Sequence, residues 1–297
     1  MRRADIKIGF GCNNMCKFCV QGEKRNKFGN KTVEQVKQDL DDAIKDCQGV
    51  VFTGGEPTLS KYLLEYVSYA RKLGFKSIQI QSNGRMFAYK KYSQQLIDAG
   101  ATEFSPALHG HTPELHDYLT GAQGSFNQTV MGIQFLKDIG MPVIVNSVIT
   151  KSNYRHLPDT ARLLVSLGVD QYQFAFVHAL GSADKYFHSI VPRKSLVEPY
   201  AKEGLDIGLN AGLMVMTEAI PYCFMKGYED YIAENFIPPG PIYDWENVIK
   251  DFYEARTTSG KSKGKPCETC KMKDKCEGPW KEYPEHYGWG EFIPIED

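Results

Sequence analysis

Two periods of apolar and polar residues alternate along the first 220 residues. Short runs rich in Val, Ile and Phe predict strands at "DIKIGF" (5–10), "GVVFTG" (49–54), "SIQIQS" (77–82), "EFSPAL" (103–108), "PVIVNSVIT" (142–150) and "QYQFAFV" (171–177). Helical spacing fills the gaps between them. "TVEQVKQDLDDAIKD" (32–46) offers Thr32 as an N-cap. "YLLEYVSYARKLG" (62–74), "YSQQLIDAG" (92–100), "SFNQTVMGIQFLKDIG" (125–140) and "DTARLLVSLG" (159–168) each finish on Gly, the common C-cap residue. Strand followed by helix, six times over, implies an α/β fold with a parallel sheet and helices outside it. Six units fall short of a closed eight-stranded barrel, so the expectation is a partial (β/α)6 barrel open on one side.

From about residue 216 this alternation fades. "IPPGPIYDW" (237–245) and "GPWKEYPEHYGWGEFIPIED" (278–297) have little periodicity. The chain therefore divides into residues 1–215, the partial barrel, and residues 216–297, a cysteine-bearing extension with a tail. The aromatic residues Trp280, Tyr283, Tyr287, Trp289 and Phe292 are expected to dock on the barrel and close its open side.

Composition narrows the function. Of 297 residues, 42% are hydrophobic and 24% charged, ordinary for a globular protein, and the net charge of −1 provides no basic field for a nucleic acid. The one basic run, "SGKSKGK" (259–265), reads as a solvated loop. No stretch approaches the roughly 18 apolar residues of a membrane span. "MRR" is followed by "ADIK" and not by an apolar signal region, so a cytoplasmic location is expected. The chain has eight cysteines, and in a reducing compartment clustered cysteines read as metal ligands more readily than as disulfides.

The polar motifs follow the strands. "GCNNMCKFC" (11–19) follows the first, "TGGEPT" (53–58) the second and "SNGR" (82–85) the third. "HGH" (109–111) follows the fourth, Asn146 and Thr150 lie in the fifth, and His178 ends the sixth. The carboxyl ends of parallel strands share one face, where ligands bind. Soft thiolates suit iron–sulfur or zinc centres. Cys12, Cys16 and Cys19 have no fourth ligand nearby, as a closed structural zinc site requires. Three thiolates on a [4Fe–4S] cube leave one iron open to a substrate or cofactor. A zinc ion borrowing a distant ligand is the alternative. Phe18 would shield a cluster there.

"CNNMCKFC" resembles the C-x-x-x-C-x-aromatic-C signature of radical S-adenosylmethionine (SAM) enzymes. "GGEP" (54–57) resembles their SAM amino-group motif and "SNG" (82–84) their ribose-contacting segment. The resemblance runs from residue 5 to about 180 and implies a partial (β/α)6 barrel. It also implies that SAM chelates the open iron and is cleaved by one electron to methionine and a 5′-deoxyadenosyl radical. That radical abstracts a hydrogen atom from the substrate. On this reading Gly54 and Gly55 allow close backbone approach, Glu56 accepts from an ammonium group, and Pro57 stiffens the turn. Ser82 and Asn83 meet ribose hydroxyls, and Asn146 meets the ribose or the methionine carboxylate, unless it is simply a satisfied strand residue. A low-potential electron donor such as flavodoxin or ferredoxin is the implied partner. "SPALHGHTPELHDYLTGAQGSF" (105–126) resembles a stretch of relatives that carry an extra C-terminal cluster, with His109 in place of an Asp. His109 and His111 are candidates to face substrate, while His116 and Asp117 are read as fixing a turn.

"CETCKMKDKC" (267–276) places Cys267, Cys270 and Cys276 together, and Cys223 completes four ligands. The set resembles the core of the SPASM or twitch extension, shortened because Trp280 stands where a further Cys is usual. That implies one auxiliary [4Fe–4S] cluster, with a structural zinc as the alternative. Cys47 reads as a buried free thiol. The expected activity is oxidation or bond formation on a peptide, protein side chain or small metabolite. A non-catalytic iron–sulfur carrier or scaffold is the competing class. His178, Glu218 and Tyr222 are the candidates for proton transfer.

Overall fold

The computed structural model describes residues 1–296. Four parallel strands pair in chain order: β1 (Arg3–Lys7), β2 (Gly49–Thr53), β3 (Ser77–Ser82) and β4 (Glu103–Pro106). Three more follow, β5 (Ile144–Ile149), β6 (Gln171–Phe176) and β7 (Met214–Glu218), again parallel and in order. Parallel bridges Phe104↔Val143 and Ala107↔Asn146 join β4 to β5, so the seven strands form one curved wall. The helices Val33–Ala43, Leu63–Leu73, Lys90–Ala99, Ser125–Asp138, Leu157–Ser166 and Lys194–Asn210 are those of the β/α repeat.

The strands alternate with period two, which separates two environments. Ala4, Ile6, Ile78, Ile80, Val145, Tyr172 and Phe174 are buried in the core. Arg3, Asp5, Gln79, Gln81, Asn146 and Gln173 line the opposite, concave side. Parallel strands covered on both faces are ordinarily apolar throughout. Here the inside of the wall carries these polar residues beside Val51, Ile144 and Met216 and borders a cavity of about 600 Å³.

The tail closes the gap, by a different segment from the one expected. Ile232 bridges to Thr217 beside β7, and β8 (Ile242–Tyr243) pairs in parallel with the outer edge of β1. Ala233, Phe236, Ile237, Pro238 and Pro241 between them line the cavity. The aromatic tail instead packs around the segment after β6: Trp280 stacks on His178 and Tyr283 meets Phe176 edge-on. β9 (Val248–Ile249) pairs antiparallel with β8. Strand β7 runs through the 215/216 division drawn from the sequence, so the extension begins as a continuation of the barrel wall.

Thr32 caps its helix in a reciprocal box: its Oγ1 accepts from the Gln35 N–H at 3.2 Å and Gln35 Oε1 from the Thr32 N–H at 2.8 Å. Asp117 does similar work for the helix Ser125–Asp138. Its carboxylate accepts from the N–H groups of Gly124 (2.6 Å) and Phe126 (2.8 Å) and from Ser125 Oγ (2.8 Å). Asp117→Ala is expected to cost about 2 kcal/mol, read as a shift in denaturant midpoint at unchanged slope.

Candidate active site

The first cysteine loop lies over the carboxyl ends of β1 to β4 and is tied down by its backbone. Met15 N–H donates to Thr120 O at 2.7 Å and Lys17 N–H to Leu119 O at 3.0 Å. Arg85 donates to Asn13 O (2.6 Å) and to Asn14 Oδ1 (2.9 Å), and Arg25 donates to Asn14 O (2.7 Å). Asn83 Nδ2 donates to Asn13 Oδ1 at 2.6 Å. "SNGR" therefore holds the cysteine loop through Arg85 as well as Asn83, a role not visible from spacing.

Gly54 and Gly55 are packed against the chain itself. Gly55 N–H donates to Gly9 O and Glu56 N–H to Gly11 O, both at 2.8 Å. A Cβ on Gly54, whose φ is +128°, would lie 2.3 Å from Gly9 O, and one on Gly55 would lie 2.4 Å from Gly11 O. The pair thus presses the second loop against the first. Pro57 opens the following turn. Glu56 is buried and largely committed: it accepts from Thr58 Oγ1, Thr58 N–H (3.0 Å), Ser82 Oγ (2.8 Å) and Asn83 N–H (2.6 Å). Burial raises its carboxyl above the usual range, against the pull of those donors. Its carboxylate therefore ties the loop after β2 to the end of β3.

The thiols form one group. Burial, then the neighbouring Cys19 and Cys12, pushes Cys16 up to about 12. Asn14 N–H donates to Cys12 Sγ at 3.4 Å and Asn83 Nδ2 reaches it at 4.0 Å. Three soft sulfurs with N–H donors aimed at one of them suit a thiolate-bound iron–sulfur centre. A Cβ on Gly11 would meet nothing within 4 Å, so the loop faces open space beside these sulfurs. Phe18 is buried, edge-on to His109. A cavity of about 500 Å³ adjoins Cys16 and Cys19, with Thr150, Ser152 and Ser182 on its far side.

The second thiol group is as compact. Cys223, Cys267, Cys270 and Cys276 line one apolar cavity with Pro266, Met272, Phe292 and Pro294. Burial and then Cys276 and Cys267 push Cys223 up to about 12. Gly278 N–H donates to Cys276 Sγ and Ile295 N–H to Cys270 Sγ, both at 3.4 Å. The donor set fits a closed four-thiolate centre. Cys47 stands apart, buried in the barrel core.

The remaining candidates separate. His109 is buried and neutral: its Nδ1 accepts from Val148 N–H at 3.1 Å, and burial brings it down to about 3. His116 Nδ1 accepts from His109 N–H at 3.1 Å, and His111 sits half-buried by His156 and Asp159. Neither His109 nor His111 lines the barrel cavity. His178 lies under Trp280, ring centroids 3.8 Å apart, with Nε2 3.3 Å from Glu282 Oε2. Tyr222 lies beside the second thiol group and donates its hydroxyl to Asn235 Oδ1 at 2.5 Å. Glu218 and Asn146 do line the barrel cavity. Burial first, then Glu234, raises Glu218 to about 7, against the pull of Lys261 and Arg256, while Gln173 donates to it at 2.5 Å. Sequence reading missed Asp5, Gln79, Gln81, Ser105 and Gln173 on the same wall; their signal was a period-two polar residue in strands otherwise destined for burial.

A partial parallel barrel with three thiols at its carboxyl mouth, pressed against a Gly-Gly-Glu-Pro turn, defines a thiolate-metal enzyme of the SAM-cleaving class. The Radical SAM superfamily model matches residues 6–164, more than half of the chain, and the chain belongs to that superfamily. It is an enzyme whose family cofactors are a [4Fe–4S] cluster and SAM. It is 24% identical to an AdoMet-dependent heme synthase of Methanosarcina barkeri, over 90% of this chain and 88% of that one. It is 28% identical to another AdoMet-dependent heme synthase, from Oleidesulfovibrio alaskensis, over 58% of this chain but 44% of that one. It is 29% identical to a probable GTP 3′,8-cyclase of Saccharolobus islandicus, over 59% of this chain and 57% of that one. The chain thus spans about half the length of several curated relatives it matches. In fold it resembles Streptococcus suis SuiB bound to S-adenosylmethionine (TM-score 0.68, 13% identity, 99% of this chain and 76% of that one). Among the described residues, no helix is long and apolar enough to cross a membrane.

Proposed function

We propose that this enzyme abstracts a hydrogen atom from a substrate seated in the barrel, for oxidation or bond formation on a peptide, protein side chain or small metabolite. The observation that carries the reading is the cysteine loop lying against Gly54–Gly55 and Asn83, with three thiols grouped beside a cavity of about 500 Å³. When bound at Cys12, Cys16 and Cys19, the cluster and SAM supply the one-electron cleavage that yields the 5′-deoxyadenosyl radical, with the electron drawn from a flavodoxin or ferredoxin. Gly11, Ser82, Asn83 and Asn146 then position the nucleoside. Cys223, Cys267, Cys270 and Cys276 hold an auxiliary [4Fe–4S] cluster in a twitch-like extension. With four protein ligands it has no open corner and is suited to accept an electron.

The curated relatives name two different reactions, heme synthesis and GTP cyclisation, so they support the superfamily chemistry and not one substrate. Reduced, reconstituted protein should form 5′-deoxyadenosine from SAM. A carrier or scaffold on the same fold would form none, even with strong reductants. About eight irons per chain are expected; about four irons and one zinc would assign the second thiol group to zinc.

Of the proton-transfer candidates, Glu218 alone lines the barrel cavity. Glu218→Gln is expected to abolish substrate turnover while 5′-deoxyadenosine still forms. The acceptor must be ionised, and its folded value is raised to about 7. Wild-type turnover should therefore rise with pH through about 7. Turnover of Glu218→Gln at the wild-type rate would remove Glu218 from proton transfer.

A further inference from the structure

The run "HGH" (109–111) has no part in the barrel cavity. His109 is buried against Phe18, and His111 borders a separate, open depression of about 380 Å³ with Glu114, Tyr118 and His156. The other side of that depression comes from a second loop: His156 and Asp159 stand at the start of the helix Leu157–Ser166. The two loops are braced to each other from within. Buried Asn153 donates its Nδ2 to His109 O at 2.8 Å and to Val148 O at 2.9 Å, and Val148 N–H donates to His109 Nδ1 at 3.1 Å. This bracing holds His111 and His156 opposite one another, ring centroids 5.1 Å apart.

One carboxylate oxygen faces both rings. Asp159 Oδ2 lies 3.5 Å from His156 Nδ1 and 3.9 Å from His111 Nε2, while Arg162 takes Oδ1 at 2.8 Å. Those two separations are too long for good hydrogen bonds. Among the described residues His111 Nδ1 has no partner either, so the ring is held in place without being spent on the fold. The three side chains offer one ligand atom each, all within 4.8 Å of one another. Nitrogen and oxygen ligands about 2.0–2.1 Å from a tetrahedral zinc ion stand roughly 3.4 Å apart. Small rotations close the set, and His156 and Asp159, 47% and 43% exposed, are free to make them. Burial lowers the His111 imidazole from its ordinary value, against the pull of Asp159, so the ring is neutral at pH 7 and able to ligate. The Asp159 carboxylate offsets the positive end of its helix, which alone would repel a cation. Two imidazoles and a carboxylate suit zinc and its neighbours, whereas calcium and magnesium favour oxygen ligands alone.

We propose that His111, His156 and Asp159 form a third metal site, separate from both thiol groups, that binds a divalent transition-metal ion of the zinc kind. Three protein ligands leave a coordination position open, here towards the depression beside Glu114. Tyr118 borders both this depression and the cavity beside Cys16 and Cys19, so the site lies at the outer rim of the cysteine mouth.

The test uses anaerobic protein with both thiol groups loaded, dialysed to equilibrium against micromolar Zn²⁺ and analysed for metals. The expected result is about one added zinc per chain with the iron count unchanged. Zinc affinity should fall at least tenfold in His156→Ala and in Asp159→Asn. His156 is half-exposed, and a melting temperature within a few degrees of the parent excludes misfolding as the cause. X-ray absorption at the zinc edge should show nitrogen and oxygen at about 2.0–2.1 Å and no sulfur at about 2.3 Å. Magnesium at the same concentration should neither bind nor displace the zinc. No added zinc, equal zinc binding in the folded variants, or a sulfur shell from zinc entering a thiol group would each overturn the proposal. None of these results bears on SAM cleavage, which is read separately as 5′-deoxyadenosine.

Discussion

Cys16→Ala is expected to drop the iron content from about eight to about four per chain and to reduce 5′-deoxyadenosine formation by at least a thousandfold. Cys16 is buried and sits within the field of both other thiols of its loop. Its loss leaves two sulfurs, and among the described residues no further cysteine lies on that loop to replace it. The equivalent change at Cys276 should also halve the iron. It differs in a decisive way: the electron paramagnetic resonance signal that responds to SAM should persist. The two variants together assign each half of the iron to its thiol group. Retention of full iron in Cys16→Ala would show that this loop is not a cluster site.

The second large effect is steric. Gly55→Ala puts a methyl group 2.4 Å from Gly11 O and 2.5 Å from the Phe10 carbonyl. Real contacts of that kind stay above about 3.0 Å, and backbone on both sides leaves no side chain to swing away. The Gly-Gly turn and the cysteine loop must part, which breaks the bonds from Gly55 N–H to Gly9 O and from Glu56 N–H to Gly11 O. The expected cost is about 3 kcal/mol, a melting temperature lowered by roughly 6–10 °C, with SAM binding weakened in parallel. Gly11→Ala provides the contrast. Its Cβ meets nothing within 4 Å, so the protein should melt close to the parent. Equal melting of Gly55→Ala and the parent would show that the two loops are not packed as described.

These two sites were not equally legible from sequence. The cysteine spacing pointed to a group of three thiols, and the structure brings Cys12, Cys16 and Cys19 together. The reason for the two glycines was hidden. Sequence suggested room for a ligand, whereas the nearest atoms belong to the residues 9–11 backbone, a contact between segments over forty residues apart. Strands β1 to β6 were found within a few residues of their ends, because each carries a run of Val, Ile or Phe. Strand β7 was missed: only Val215 and Thr217 of "MVMTE" are buried, too few to mark a period. The helix Lys194–Asn210 passed unremarked with Pro199 inside it. Strand β8 is two residues long and exists only because β1 offers it an edge. Closure of the barrel by residues 232–243 was beyond reach for the same reason. The tail aromatics, expected to cover the opening, pack instead on His178, Phe176 and Phe187. The polarity of the lumen was present as alternation in "SIQIQS" and "QYQFAFV". Read as strands only, those runs did not reveal that their Gln residues face a cavity.

The proposed chemistry turns on an iron left open by Cys12, Cys16 and Cys19 and filled by SAM. Electron paramagnetic resonance of anaerobically reconstituted, reduced Cys276→Ala protein, recorded with and without SAM, tests this directly because only the first cluster contributes. A shift in g values and line shape on adding SAM is the predicted result. Identical spectra at saturating SAM would contradict it.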